Sequence, residues 1–423
     1  MYDVIIVGAR VAGSSTAMLL ARQGYRVLCV DRATFPSDTV STHMISVAGS
    51  AQMRRWGVLD AVKATGCPPV ENIELDLDFP RYGHFTLTGF PEPVDDGFAS
   101  IYAPKRIILD ELLVRHAESS GAEVREGFSV DSLVFDGDRV VGVRGHSAGG
   151  KEVSEYASFV VGADGMRSLV AEAVQAPEYH FVPPRAFGYY GYWDDVKLRG
   201  LEFYTRPGRT IIAFPTHHDQ AAVFVERPER DFSWFKRDLD ASYLRTVGEA
   251  APDLAHRIAG GTLVQRLKGA GNRPNFFRKP WGPGWALVGD AGAHKDPITA
   301  QGITDAFRDA ELLADALHEH FEGTDADIAL QRYQETRDEA LKPLYDFIVD
   351  HAAMEPFDNG FQDVLAAMRG NQSAINKFFG VIQATVPWDE FFSPRNLAPL
   401  MGLPLEDELT VPTNLGPSQG ESA

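Results

Sequence analysis

The chain has 423 residues, 44% of them apolar and 23% charged, room for two or three cores at roughly 150 residues each and the composition of an ordinary globular protein. With 59 Asp and Glu against 40 Lys and Arg, its long-range field repels nucleic acid and anionic lipid, so neither is expected as a partner. No run of about 18 apolar residues offers a membrane span, and Cys29 and Cys67, without any Cys-x-x-Cys, suit a reducing, cytoplasmic compartment.

In chain order, residues 3 to 31 read as one βαβ unit: apolar Val4 to Val7, a glycine-bearing turn, a helix with Ala12, Ala17, Leu20 and Ala21 on one face, a stop at Gly24, then Val27 to Val30. Such a unit implies a parallel sheet. Two later apolar strands, Phe159 to Gly162 and Trp285 to Gly289, end in Gly and Asp and fit the same sheet. The segments between them are aromatic-rich and alternating, and read as antiparallel strands of an inserted domain. After residue 302 the spacing of Ala306, Ala310, Leu313, Leu317 and Phe321 is helical. A second amphipathic helix is expected over about 328 to 352, and more helix over 360 to 385. The expected class is therefore α/β: a discontinuous Rossmann-like domain (1–70, 105–180, 271–350), an inserted antiparallel β-sheet domain for the substrate (71–104, 181–270), and a C-terminal helical segment (351–402). The last stretch, 403–423, reads as a disordered tail.

Three motifs carry the chemistry. Gly8-Ala9-Arg10-Val11-Ala12-Gly13 follows the first strand and opens a helix, with Asp31 closing the second strand. Gly8 permits the tight turn, Gly13 lets helix and strand approach, the helix N-terminus faces a pyrophosphate, and Asp31 accepts from ribose hydroxyls. One position departs from the dinucleotide fingerprint: its second glycine is Arg10, placed to cap the site or pair with a phosphate. Asp164, in Gly162-Ala163-Asp164-Gly165, presents a carboxylate on a glycine-flanked turn where open α/β sheets hold ligands. Gly289 and Asp290 end the third strand, and the chain runs through Pro297, Gln301, Gly302 and Ile303 into a helix. The positive end of that helix suits a group that becomes anionic on reduction.

In this order and spacing the three elements resemble the FAD-binding set of the class A flavoprotein monooxygenases and their halogenase and geranylgeranyl reductase relatives, over about residues 1 to 350. The resemblance implies that Gly8, Arg10, Val11, Ala12 and Gly13 hold the FAD pyrophosphate and Asp31 the adenosine ribose. Arg32 and Thr42 join the same cofactor set. It implies further that Gly289 and Asp290 hold the ribityl chain, that Pro297 to Ile303 line the isoalloxazine, and that Asp164 serves FAD and NAD(P)H. Arg106, at the start of an apolar helix, resembles the Arg that the family places near the pyrophosphate; Val130 resembles a strand residue whose backbone meets the adenine. The implied reaction uses NAD(P)H and O2 to oxygenate an aromatic or polycyclic small molecule, as in secondary metabolism.

His43, in Ser41-Thr42-His43, lies where this fold passes beside the flavin, and is the candidate catalytic residue, as a hydrogen-bond donor or as an acid or base near neutral pH. His217-His218 reads as an exposed hairpin turn, since neighbours in an extended segment diverge and make a poor metal pair; no metal site is expected. Tyr189, Tyr190, Tyr192, Trp193, Phe203, Tyr204 and Phe214 read mostly as sheet core, a subset lining a pocket. Two departures bear on the reaction. His294 stands one place later than the hydroxylase His, and Ile211 to Pro215 lacks the tryptophans of the halogenase Trp-x-Trp-x-Ile-Pro motif. The other readings are a halogenase, an alkene reductase of the geranylgeranyl reductase type, and an inactive FAD-bound scaffold.

Overall fold

The computed structural model describes residues 1–94 and 96–404, so the expected tail lies almost wholly outside the described residues. β1 (Tyr2–Val7), α1 (Val11–Arg22) and β2 (Val27–Asp31) form the opening unit, with β1 and β2 parallel and Val4 opposite Val27. Val4 to Val7 and Val27 to Val30 are all buried. Burial on both faces is why these strands read as unbroken apolar runs. α2 (Val47–Arg55) follows, its N-terminus capped by the Ser46 hydroxyl, which accepts from the Gly49 N–H. β3 (Ile73–Phe79) and β4 (Gly83–Gly89) pair antiparallel.

α3 (Arg106–Ser119) returns the chain to the first sheet, where β5 (Glu123–Glu126) joins β2 in parallel. β6 (Phe128–Asp136), β7 (Arg139–Ser147) and β8 (Val153–Gly162) form an antiparallel run, and the end of β8 enters the sheet parallel to β1. The second sheet is then completed by β9 (Ala186–Asp194), β10 (Leu201–Arg206), β11 (Arg209–Pro215) and β12 (Ala221–Pro228). Two helices follow, α4 (Leu239–Ala250) and α5 (Pro252–Ala259). β13 (Trp285–Leu287) closes the first sheet beside β8, and α6 (Gly302–Phe321), α7 (Ala326–His351), α8 (Asn359–Ala367) and α9 (Gln372–Ile382) follow, before two short helices at Trp388–Phe391 and Pro394–Leu400. The first sheet runs β13-β8-β1-β2-β5 and the second β9-β12-β11-β10-β3-β4.

Two features depart from the antiparallel, all-strand insert expected from the sequence. β10 lies parallel to β3, Leu201 opposite Ile73. A parallel neighbour needs a long connection, and residues 80–200 supply it by passing through the first sheet. The insert also carries α4 and α5, whose Tyr243, Val247, Leu254 and Ile258 pack on Tyr189, Trp193, Tyr204, Ile211, Val223 and Val225. That cover buries the outer face of the second sheet. The aromatics of β9 therefore alternate between two cores, Tyr189 and Trp193 under the helices, Tyr190 and Tyr192 on the opposite face.

Candidate active site

The turn between β1 and α1 is built from close approaches. Gly8 has φ +102°, and a Cβ there would stand 2.5 Å from the Ala163 carbonyl oxygen; a Cβ at Gly13 would stand 1.7 Å from that of Gly8. Only glycine fits either place. The α1 N-cap, Arg10, contributes no side-chain cap, and the first helical bond runs from Ser14 N to Arg10 O. The N–H groups of Val11, Ala12 and Gly13 thus have no acceptor within the helix, which suits an anion. Asp31 is half-buried and accepts from Ala9 N and Ala33 N, both at 2.8 Å, which fixes the turn beside the place a ribose would take. Arg32 is exposed, and Val130 lies half-buried on β6.

Arg10 reaches sideways. Its guanidinium pairs with Asp110 at 2.6 Å and donates to the Ser37 and Asp38 carbonyls. Arg106 meets the same carboxylate with Nε at 2.8 Å and Nη2 at 3.1 Å, and is buried against it. Asp110 is fully buried. Sequence reading named both arginines and missed the carboxylate that joins them, because Asp110 in isolation reads as one acid of an amphipathic helix. Two guanidinium groups on one carboxylate leave a net positive charge beside the cradle, where a pyrophosphate fits.

Asp164 turns its Oδ2 onto the helix that follows, accepting from Leu169 N at 2.6 Å and Val170 N at 3.3 Å, while Oδ1 is buried with no hydrogen-bond partner among the described residues. Burial pushes its carboxyl above the usual range. Its first structural task is therefore that of a cap. Gly289 has φ +61° and projects Asp290 into solvent; Gly302, at the start of α6, is also exposed, and Gln301 supplies no side-chain cap. Gly289, Asp290 and Gly302 line one cleft with Lys295 and Asp305, which pair with each other. This open acceptor beside an uncapped helix N-terminus matches what a polyol chain and an anionic ring edge require. Pro297 begins a 3-10 turn, Ala300 is left-handed at φ +56°, and Ile303 is buried. The Gln301 side chain donates to the Ile382 carbonyl and so ties this stretch to α9.

His43 is fully buried, with left-handed backbone at φ +64°. Its N–H donates to Ser41 Oγ, and Thr42 O accepts from Met44 N, which holds the loop in place. The ring hydrogen-bonds through Nε2 to the Tyr192 hydroxyl and lies edge-on to Tyr190 at 5.1 Å and Phe224 at 5.9 Å. Burial, then the Arg106 guanidinium, pull the imidazole down to about 3. So lowered, the imidazole favours the neutral form near neutral pH, which supports the hydrogen-bonding role expected of His43 over that of a charged acid. A consequence is measurable. Below its ordinary value of 6.5 the unfolded chain takes a proton at His43 that the folded chain refuses until about pH 3, so this residue lowers stability as pH falls through that window, by up to about 1.4 kcal/mol per pH unit. His43→Asn is expected to flatten the acid limb of the stability curve in urea titrations between pH 4 and 7. Parallel curves for the two proteins would show that His43 is not held neutral.

The His217-His218 turn is also corrected. His218 is exposed, but His217 is fully buried, sharing a hydrogen bond with Thr65 Oγ1 at 2.8 Å and accepting from Lys105 N at 3.3 Å. It holds the entrance of α3 against the second sheet, a contact across 112 residues that local pattern does not reveal. The adjoining Lys105 places Nζ 4.5 Å from the centroid of the Tyr192 ring, whose hydroxyl meets His43. Among the described residues no three His, Cys, Asp or Glu side chains are placed to hold a metal ion, and no helix is long and apolar enough to cross a membrane.

A family model described as an FAD binding domain matches residues 1–347, and the chain belongs to that family. It is 25% identical over 320 residues to a tryptophan 2-halogenase of Chondromyces crocatus, covering 74% of this chain and 60% of that protein. It is likewise 25% identical over 355 residues to squalene epoxidase 2 of Arabidopsis thaliana, covering 81% of this chain and 58% of that protein. The chain thus spans about three fifths of the length of these two relatives. Among solved structures, a flavin-dependent brominase superposes with a TM-score of 0.79 at 18% identity, over 95% of this chain and 97% of that one, which is a likeness of fold.

Proposed function

We propose that the chain is a single-component monooxygenase that uses NAD(P)H and O2 to hydroxylate, epoxidise or N-oxygenate an aromatic or polycyclic small molecule in the cytoplasm. One observation carries the reading. Tyr190, Tyr192, Phe214 and Phe224, on the inner face of the second sheet, share a core with Met44 and with Ala300 of the stretch proposed to flank the flavin. Tyr190 stacks on Phe224 at 4.6 Å, and Phe361, Phe378 and Phe379 of α8 and α9 wall the same core. A flat substrate is brought to the ring by such a surface, and water is kept out.

In this reading Gly8, Val11, Ala12, Gly13 and the Arg10–Asp110–Arg106 group hold the pyrophosphate of FAD, Asp31 with Arg32 and Val130 the adenosine half, and Gly289 and Asp290 the ribityl chain. Thr42, Pro297, Gln301, Gly302 and Ile303 flank the ring, and Asp164 serves FAD and NAD(P)H. Bound FAD supplies the redox chemistry and the activation of O2. His43, kept neutral, offers one directed hydrogen bond at the boundary between this stretch and the aromatic wall, with Tyr192 fixing its orientation.

Halogenation is the second reading, supported by Lys105: a half-buried ammonium, lowered by burial, over the Tyr192 ring. Turnover of a confirmed substrate under ¹⁸O2, with and without chloride or bromide, separates the two. A labelled product formed independently of halide is expected; an unlabelled halogenated product would sink the oxygenase reading.

A further inference from the structure

On the aromatic inner face of the second sheet, one row is polar. Glu226 on β12 stands opposite Gly188 on β9 and Thr210 on β11, so their side positions share a face. A Cβ at Gly188 would lie 3.2 Å from Glu226 Cγ and Oε1 and 3.6 Å from Arg273 Nη2, so the missing side chain leaves a gap between acid and guanidinium. From the other side comes the flavin-flanking stretch. Asp296 donates its N–H to Asn275 Oδ1 at 2.7 Å and caps Ile298 N with one carboxyl oxygen. Glu226 and Asp296 are each 1% exposed, and Thr210 and Asn275 are as buried.

These groups are not satisfied by one another. Glu226 Oε2, Asp296 Oδ2, Thr210 Oγ1, Asn275 Nδ2 and both Nε and Nη2 of Arg273 are buried with no hydrogen-bond partner among the described residues. An orphaned buried polar atom costs about 1–3 kcal/mol, so six in one place need a ligand or ordered water. Burial pushes both carboxyls above the usual range, the Asp296 charge adds to the rise at Glu226, and the Arg273 guanidinium opposes it at both. One guanidinium and two carboxyl groups stand together here, so both signs of charge are already present in the cluster without a ligand. The orphans include donors and acceptors together, and a hydroxyl supplies both from one small atom that fits the gap left at Gly188.

We propose that Glu226, Asp296 and Arg273, with Thr210 and Asn275, form a polar anchor at the end of the aromatic wall that receives a hydroxyl group of the substrate. The anchor rests on the oxygenase reading only in placing the substrate on this wall. Its chemistry sets orientation: the hydroxyl end is held between Glu226 and Asp296, and the rest of the flat molecule lies along the wall toward Tyr190 and Tyr192.

The test is binding, not turnover. Calorimetric titration of the FAD-loaded protein with indane, 2-indanol, 2-aminoindane and indane-2-carboxylate compares one skeleton bearing no polar group, a hydroxyl, a cation and an anion. 2-Indanol is expected to bind at least about five-fold more tightly than the other three, the worth of one buried hydrogen bond. Glu226→Leu should abolish that preference, and Thr210→Val, which changes no charge, should reduce it, with the flavin spectrum confirming that each variant is folded. Equal binding of all four would mean that internal water satisfies the cluster; tighter binding of the amine or the carboxylate, or a preference that both variants keep, would overturn the anchor equally. A product without ¹⁸O would remove the oxygenase reading and leave this result standing.

Discussion

Asp110→Ala is expected to lower folding stability by about 3–5 kcal/mol, because it removes one partner of a buried ionic group and leaves the other charge uncompensated. Arg10 is 28% exposed at its side chain and has room to turn to water, but Arg106 is 11% exposed and has little. The two guanidinium groups, held together by the carboxylate, would then repel each other across a site with little solvent to screen them. Urea unfolding of FAD-free protein measures the loss. If the pair faces a pyrophosphate as proposed, saturating FAD should restore part of that stability, since a ligand bound only by the folded state adds to it. A loss under 1 kcal/mol would mean that the arginines find other partners, and an unchanged response to FAD would move the pyrophosphate elsewhere.

Asp290→Ala should do the reverse, leaving the fold and losing the cofactor. The side chain is exposed and makes no contact that a core depends on, so stability of the FAD-free protein should change by no more than about 0.5 kcal/mol. Hydrogen bonds from a polyol to a carboxylate contribute about 1.5–3 kcal/mol, which weakens FAD binding by roughly ten- to a hundred-fold when the carboxylate is lost. Equilibrium dialysis with FAD reads that change directly. Retention equal to that of the unsubstituted protein would remove Asp290 from the ribityl site and require another acceptor for it.

The FAD-binding fold was legible because its signals are local. A parallel strand buried on both faces must be apolar throughout, a tight turn against a second backbone must be glycine, and both needs are met within a few consecutive residues at Val4 to Gly13. The same holds for Gly289-Asp290 at the strand end and for the helical spacing after Gly302. What local pattern could not supply was which charges meet. Arg10 and Arg106 stand out by their motif positions, yet their roles are set by Asp110, a hundred residues from Arg10, and the His43 imidazole is lowered by burial against Tyr192, Tyr190 and Phe224 of the second sheet and by Arg106.

The split of the β9 aromatics shows the same limit. Alternation places Tyr189 and Tyr190 on opposite faces, but only the covering helices α4 and α5 decide which face is closed and which is left to the site. His217 looked like a turn residue because turn residues and loop anchors have the same sequence; burial against Thr65 and Lys105 tells them apart. Glu226 is the clearest case, one acid in an apolar strand, unremarked until Gly188, Arg273 and Asp296 arrive around it from three other segments. Sequence alone determined where the backbone must bend and what it must bury, since those demands fall on neighbours in the chain. Which charges are paired, neutralised or orphaned was decided by the tertiary structure, because electrostatic energy depends on distance and solvent exclusion across segments that the chain order keeps apart.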